Sequence, residues 1–185
     1  MAVESKNHRT AIWEKLEEHR VKAANYPLQI LILGPSNDGS VEFKARCKLR
    51  SKLLEWGHKA AFGEDLHCQP QALSNPVDDL ILQADSAHLI IMIYGSRGTQ
   101  TERDVLLSNL HFAAKSIVFV ENSLFDKINA SLTGKDWELM GQVAEVVKYS
   151  MRRLSKCTLE TVYGRTEELR KQVYARSIKY GRIFE

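Results

Sequence analysis

The clearest candidate for chemistry in this chain is a segment of glycines, hydroxyl side chains and one carboxylate. It reads Gly-Ser-Arg-Gly-Thr-Gln-Thr-Glu, from Gly95 to Glu102, and it follows directly on an apolar run. Two glycines let the backbone approach a ligand closely. In one interpretation, Glu102 is a carboxylate at the rim of a cleft, beside a loop that suits phosphate. In the other, Thr99 caps the next helix and Glu102 completes a capping box three residues later.

A second candidate loop lies earlier, between an apolar run and a predicted helix. It reads Gly-Pro-Ser-Asn-Asp-Gly-Ser, from Gly34 to Ser40. Such a junction offers unpaired backbone N–H groups and the positive end of a helix dipole, which suit a phosphate. The loop lacks the Walker and dinucleotide-binding patterns, and its residues are also good turn formers. Phosphate binding and a simple tight turn are therefore equal alternatives here.

Other polar residues have simpler structural explanations. Asp85 ends a predicted helix, where aspartate usually caps or turns the chain, unless it reaches the cleft. Arg46 either meets a phosphate or pairs with Glu42 one turn back on its helix, and the pairing is favoured. His88 lies inside an apolar run and fits a core histidine. The histidines show no metal-ligand spacing, so we expect no metal site.

These residues must be positioned by apolar runs that alternate with amphipathic segments. This alternation predicts a parallel sheet covered by helices on both faces. We expect a flavodoxin-like (Rossmann-like) α/β fold of four to five strands, with additional N-terminal and C-terminal helices. Ligands bind such sheets beyond the carboxyl ends of the strands. The predicted strands are 28–33, 58–62, 87–93 and 116–120, and the predicted helices between and before them are 5–24, 40–56, 77–83 and 101–114.

The end of the chain differs from the rest in charge. Residues 148–185 carry 10 basic and 4 acidic side chains, a net +6, and the other 147 residues carry 16 basic and 19 acidic, a net −3. The pattern favours helices here, one from Asp136 to Val147 and one from Thr158 or Thr166 to Arg182. Because the basic residues are interleaved with apolar ones, a solvent-exposed helix face explains the positive charge more commonly than a phosphate-binding surface does.

The domain organisation follows from these patterns. We expect an N-terminal helix over 1–27, an α/β nucleotide-binding or catalytic domain over 28–147, and a basic helical segment over 148–185 in the same compact unit. The longest apolar runs are far shorter than the roughly 20 residues that a membrane helix needs. No secretory signal is visible, and the three cysteines are widely spaced, which suits a reducing cytoplasm.

The Gly95–Glu102 segment resembles the GT-x-x-E segment of nucleoside 2-deoxyribosyltransferase-like and nucleotide N-glycosidase proteins. It is also similar to the GGxGTxxE segment of lysine-decarboxylase-like phosphoribohydrolases, and TIR-like NAD glycohydrolases share the general layout. The resemblance covers about residues 28–120. Further residues that are similar to the first family are Ile30–Gly34, Arg46, Leu49, Leu53, Gly57, His58, Asp79, Leu82, Ala84, Asp85, Ala113, Lys115, Ser116 and Ile117.

The resemblance implies cleavage or transfer at the N-glycosidic bond of a nucleoside, a nucleotide or NAD. Glu102 would act as nucleophile or stabilise the positive charge on the sugar carbon, and Asp85 would orient sugar or base. No cofactor is expected, and NAD enters only as a substrate. The implied substrate-binding residues are Gly34, Ser36, Asn37, Ser96, Gly98 and Thr99.

Two other classes of function stay open. The same fold can serve as a nucleotide-sensing or binding module without turnover, because a fold alone does not assign an activity. The basic C-terminal helices can instead contact a protein partner, a second copy of the chain or, less favoured, nucleic acid. We expect no membrane contact.

Overall fold

The computed structural model describes residues 2–67, 75–95, 97–125 and 144–180 of the 185-residue chain, with backbone alone for 2–10, 66–67 and 97–101. Five strands form a single parallel sheet in the order β2-β1-β3-β4-β5. The flavodoxin-like α/β class predicted from the sequence is therefore confirmed. The strands are β1 Gln29–Leu33, β2 Lys59–Phe62, β3 Leu89–Tyr94, β4 Ser116–Glu121 and β5 Glu145–Tyr149.

The helices that connect the strands begin at polar caps. The Ser40 hydroxyl accepts a hydrogen bond from the Phe43 N–H at 3.0 Å, and Asn75 caps a later helix in the same way. A helical turn at 122–125 follows β4, and a 3₁₀ turn, Met151–Arg153, follows β5. The α-helices are α1 Ala2–Ala24, α2 Val41–Glu55, α3 Gly63–His67, α4 Pro76–Ser86, α5 Arg97–Leu107, α6 Leu110–Ala113 and α7 Leu154–Lys179.

Both faces of the sheet are covered by apolar side chains, and the central strand β3 is buried along its whole length. Side chains alternate between the two faces of a strand, so each strand supplies both layers. Right-handed crossovers put α2 on the face opposite to α4 and α5, because the chain moves outward from β1 to β2 and then back to β3. The layer on the α4–α5 face includes Leu31, Leu33, Leu80, Ala84, Ile90, Met92, Leu106, Leu107, Phe112, Val118 and Val120.

Two predicted elements were wrong. The sequence pattern places only four of the predicted four to five strands and puts Val147 in a helix, whereas Val147 lies in β5. The helix expected over 101–114 begins earlier, at Arg97, and is interrupted between α5 and α6. There Asn109 accepts a hydrogen bond from the N–H of His111 and caps a new helix. The predicted helix from Asp136 lies largely outside the described residues.

The chain divides into two compact units. One is Leu28–Val162 and contains the sheet, and the other joins Met1–Pro27 to Tyr163–Glu185. The sheet unit extends past residue 147 because β5 ends at Tyr149 and the first turns of α7 bury Leu154 and Val162 in it.

In the other unit, Arg170 Nη1 donates to the Ala24 carbonyl at 2.8 Å, and His19 Nδ1 lies 2.7 Å from the Tyr174 hydroxyl. These contacts join α1 to the end of α7. No helix in the described part of the chain is both long and apolar enough to cross a membrane.

Candidate functional site

β1 and β3 are neighbours in the sheet, but the strands that follow them in the chain lie on opposite sides. The loops after β1 and β3 therefore start next to each other and run apart. The chain leaves β1 toward β2 on one side and later returns to β3 on the other. Open parallel sheets bind ligands at such a point, beyond the carboxyl ends of the strands. Both candidate loops, after Leu33 and after Tyr94, begin at this carboxyl edge.

The inside of the first loop is occupied by the side chain of Arg46. This guanidinium is fully buried and donates from Nη1 to the carbonyls of Gly34 at 2.8 Å and Pro35 at 2.7 Å. Its Nη2 donates to the Ile32 carbonyl at 3.2 Å. The loop therefore turns its carbonyl oxygens toward a cation of the protein itself, which leaves those oxygens unavailable to a ligand.

The acidic partner of Arg46 is Glu64, in the short helix α3 after β2. Arg46 Nη2 donates to Glu64 Oε2 at 2.8 Å, and the guanidinium carbon lies 4.5 Å from the centre of the Phe62 ring. The favoured pairing with Glu42 on the same helix was wrong. The tertiary contacts prevail because a buried arginine needs several acceptors, and the ends of β1 and β2 supply them.

The other residues of the first loop also have structural roles. Gly34 has φ +149°, and a Cβ there would lie 2.9 Å from both Arg46 Cδ and the Ile93 carbonyl, so only glycine fits. Asn37 Oδ1 accepts from the Gly39 N–H at 3.0 Å, as in a tight turn. Ser36 is exposed. These contacts favour the tight-turn interpretation of the loop over a phosphate cradle.

Glu42 is a buried carboxylate near the carboxyl ends of β1 and β3, where the loops after these two strands run apart. It belongs to the first turn of α2 and is 8% exposed. A Cβ built on Gly95 would lie 3.2 Å from both Glu42 Oε1 and Pro35 Cγ. Gly95 therefore allows the carboxylate to lie against the end of β3.

Glu42 belongs to a group that we call the carboxylate–phenol cluster, with Glu121 and Tyr149. Glu121 and Tyr149 end β4 and β5 and face each other in the strand register. Tyr149 is 3% exposed, and its hydroxyl has no hydrogen-bond partner among the described residues. Burial raises the pKa of Tyr149, and the negative charges of Glu42 and Glu121 raise it further. The phenol thus stays protonated at neutral pH and can donate a hydrogen bond.

The sequence did not single out this cluster. Its signal is weak, because Glu121 and Tyr149 are only the polar last residues of two β-branched runs, and the second of these runs also fits a helical spacing. For Glu42, the spacing indicates only a pairing with Arg46.

Glu102 lies on the second turn of α5 and is half-buried. The capping-box interpretation of Thr99 was wrong, because α5 begins at Arg97 and contains Gly98 and Thr99 in its first turn. Ser96 lies outside the described residues, and the side chains of 97–101 are not described. The helix therefore carries Gly98, Thr99 and Glu102 away from the carboxyl end of β3 as one rigid element.

Next to Glu102, the side chain of Arg103 is buried against the end of β3. It is 5% exposed, and its guanidinium carbon lies 5.2 Å from the centre of the Tyr94 ring. Its Nε donates to Asp104 Oδ1 at 2.8 Å. The contact between Arg103 and Tyr94 packs α5 against the end of β3, beside Glu102.

The structure does not bring Asp85 to this site. Asp85 lies in the last turn of α4, just before β3 begins, whereas Glu102 follows the end of β3. The two carboxylates therefore lie at opposite ends of the strands. The Asp85 side chain is 71% exposed, and its backbone carbonyl accepts from Lys115 Nζ at 3.0 Å. The expectation that Asp85 orients a substrate for Glu102 is therefore corrected.

His88 lies at the same amino edge as Asp85 and has a structural role. Its Nδ1 accepts from the Gln29 N–H at 2.9 Å, which requires a ring that is unprotonated at this nitrogen. Burial lowers the pKa of His88, and the positive charge of Lys115 lowers it further. Burial also lowers the pKa of Lys115. The histidine stabilises the start of β1, but it precedes β3 and is only half-buried, so it is not the core residue that the sequence predicted.

A cavity of about 530 Å³ lies at the same carboxyl edge, beyond the ends of β4 and β5. Three cations line it, and we call it the basic cavity. The first turns of α7 form one wall, and the strand ends form the other. The lining residues are Asn122, Lys148, Tyr149, Ser150, Arg153, Lys156, Cys157, Glu160 and Thr161.

Comparison with known proteins assigns no family to the chain. No protein-family model matches it, and no curated protein matches it at a significant level. Within the described ranges, no group of three histidine, cysteine, aspartate or glutamate side chains is arranged to hold a metal ion. The functional argument therefore depends on the residues at the carboxyl edge.

Proposed function

We propose that this protein cleaves or transfers the N-glycosidic bond of a nucleoside, a nucleotide or NAD, with Glu102 as its catalytic carboxylate. One observation carries the proposal: Glu102 stands on the helix that follows β3, the fully buried central strand, at the reversal of strand order. This is where ligands bind in open parallel sheets. The resemblance of Gly95–Glu102 to nucleoside 2-deoxyribosyltransferase-like proteins supplies the chemistry.

The chemistry suits a carboxylate of this kind. As the bond between base and sugar breaks, the bonding electrons leave with the base, and positive charge develops on the anomeric carbon. Glu102 would stabilise that charge or form an ester with the carbon, which water or a second base then attacks. Because Glu102 is half-buried, its charge is less screened than that of an exposed carboxylate.

The carboxylate–phenol cluster supplies a second set of ligand contacts for this proposal. The partly exposed Glu121 can accept hydrogen bonds from sugar hydroxyls, and the buried Glu42 and the protonated Tyr149 lie behind it as its supporting groups. All three residues belong to the carboxyl edge of the sheet, where the helix that carries Glu102 begins. We propose that these residues orient the sugar. We also propose that the reaction takes place in the cytoplasm, because three widely spaced cysteines suit a reducing compartment.

A base-release assay tests this proposal. The purified protein is incubated separately with NAD, ribonucleotides and deoxyribonucleotides, and the released base is measured by chromatography. We expect Glu102→Gln to lower the rate by on the order of 100-fold or more, because the substitution removes the charge and the nucleophile. Asp85→Asn is the matched control, because it neutralises a carboxylate at the opposite edge of the sheet and should leave the rate unchanged.

Two results would overturn the proposal. Equal base release by wild type and Glu102→Gln would remove Glu102 from the reaction. No release from any substrate, together with measurable nucleotide binding, would replace catalysis by the sensing or binding module that the same fold allows.

A further inference from the structure

The proposed chemistry uses only Tyr149 among the residues that line the basic cavity, and within the described ranges the cations of the cavity are only partly neutralised. Lys156 Nζ lies 3.6 Å from Glu160 Oε1. Lys148 Nζ lies 3.6 Å from the centre of the Phe125 ring, a cation–π contact that leaves its charge uncompensated. Arg153 forms no ion pair within the described ranges. Three cations against one carboxylate give the lining a net charge of +2.

The cavity also offers neutral hydrogen-bond donors. Ser150 precedes the 3₁₀ turn, but its side chain makes no capping hydrogen bond. Tyr149 also lines the cavity, although its protonated hydroxyl is buried and has no partner in the described part of the chain. The 26-residue helix α7 begins at this wall, so the positive end of its dipole adds to the field of the cations.

We infer that the basic cavity binds the phosphate group of a small phosphate-bearing ligand of the nucleotide class. A volume of about 530 Å³ is within the usual range for small-molecule sites. Arg153 provides the planar group that binds phosphate oxygens in pairs, and Lys148 and Lys156 act as point charges. The concave wall favours a compact ligand over a long nucleic acid, which would need cations along an extended surface.

Direct measurements of ligand binding test this inference, and they do not require the protein to turn over a substrate. Isothermal titration calorimetry compares AMP, adenosine and inorganic phosphate on the wild-type chain, with Arg153→Ala as the test variant. Arg152→Ala is the matched control, because Arg152 is an exposed neighbour that does not line the cavity. We expect AMP to bind more tightly than adenosine, and inorganic phosphate to compete with AMP. Arg153→Ala should weaken AMP binding by about 10-fold or more, and Arg152→Ala by less than about 2-fold.

Cys157 offers a second readout inside the same cavity. Its thiol is free and partly exposed, so a maleimide should label it in a chain that carries Cys47→Ser and Cys68→Ser. We expect AMP to slow this labelling and adenosine at the same concentration to leave it unchanged. Arg153→Lys keeps the charge and should retain part of the protection, provided that its circular dichroism matches the wild type.

The outcomes separate this inference from the proposed function. AMP affinity that falls equally in Arg152→Ala and Arg153→Ala, or labelling of Cys157 that AMP does not slow, would overturn the phosphate site. Tight binding of an oligonucleotide that AMP cannot displace would also overturn it, in favour of a nucleic-acid surface. A chain that binds AMP through Arg153 but never releases base keeps this inference and loses the proposed catalysis.

Discussion

The carboxyl ends of β1 and β3 form one half of the sheet's carboxyl edge, and those of β4 and β5 form the other. The two halves differ in the side chains that lie there. At β1 and β3, the protein's own side chains fill the space: Arg46 lies inside the first loop, and Glu42 lies against Gly95. At β4 and β5, the described residues line the basic cavity, and two of its three cations have no carboxylate partner among them. Glycines at a strand end therefore do not by themselves indicate a ligand, because the chain's own packing can require them.

The two halves also differ in charge. At β1, β3 and β4, the buried Arg46 is paired with Glu64, and two further carboxylates, Glu42 and Glu121, lie at the strand ends. Beyond β5, three cations line the basic cavity with one carboxylate. A nucleotide carries sugar hydroxyls, which carboxylates bind, and a phosphate, which cations bind. Two kinds of experiment test this comparison. One removes the side-chain contacts that fill the half at β1 and β3, and the other measures how the ionisation of Tyr149, which belongs to both halves, changes stability.

The largest effect is expected from Arg46→Ala. The substitution leaves three backbone carbonyls without their donor, at a cost of about 1–3 kcal/mol for each buried one. The broken ion pair adds less than about 1 kcal/mol, because the Glu64 side chain is 41% exposed and its charge is screened by water. Urea unfolding should show the combined loss. Arg50→Ala is the control, because Arg50 pairs with Asp65 at 3.0 Å but is partly exposed, so its loss should cost less than about 1 kcal/mol. Equal losses would mean that Arg46 is not specifically required by the loop.

A smaller loss is expected from Gly34→Ala. The new Cβ would lie 2.9 Å from the Ile93 carbonyl, on a backbone with φ +149°, so we expect a cost of roughly 2–3 kcal/mol. Gly164→Ala is the control on helix α7, where a Cβ meets no atom within 4 Å. That variant should gain up to about 1 kcal/mol, because alanine favours a helix. If thermal unfolding showed Gly34→Ala to be as stable as the wild type, Gly34 would have no packing role.

The smallest effect concerns alkaline pH. The pKa of Tyr149 is raised in the folded chain above its ordinary value of 10.0, so its contribution to stability is fully present below pH 10 and is lost as the pH rises further. Above pH 10, the unfolded chain releases this proton while the folded chain retains it. Tyr149→Phe should therefore lose less stability between pH 9 and pH 11 than the wild type does, as measured by urea unfolding.

The control for this titration is Tyr180→Phe, because Tyr180 is 62% exposed. It should keep the alkaline loss of the wild type. If Tyr149→Phe and Tyr180→Phe followed the same curve, Tyr149 would not be the group that is protected from ionisation. At neutral pH, Tyr149→Phe should be at least as stable as the wild type, since it removes a buried hydroxyl that lacks a partner among the described residues.

The first four strands were predictable because each is a short apolar run bounded by a loop or a helix. The fifth was not, since Val146 and Val147 fit a helical spacing with the apolar residues before them as well as they fit a strand. Pairing with β4 decided between these alternatives, and that pairing joins residues more than 25 positions apart in the chain. A window of local sequence contains no information about such a contact.

The sequence alone determined the α/β class, the parallel sheet and the Gly95–Glu102 candidate, because these depend on hydrophobic period and on residue types close together in the chain. Only the tertiary structure decided which polar groups meet. It paired Arg46 with Glu64 and not with Glu42, separated Asp85 from Glu102, and assembled Glu42, Glu121 and Tyr149. The physical reason is that a buried charge is stabilised by whatever acceptors surround it in space, and strand order brings those acceptors from distant parts of the chain.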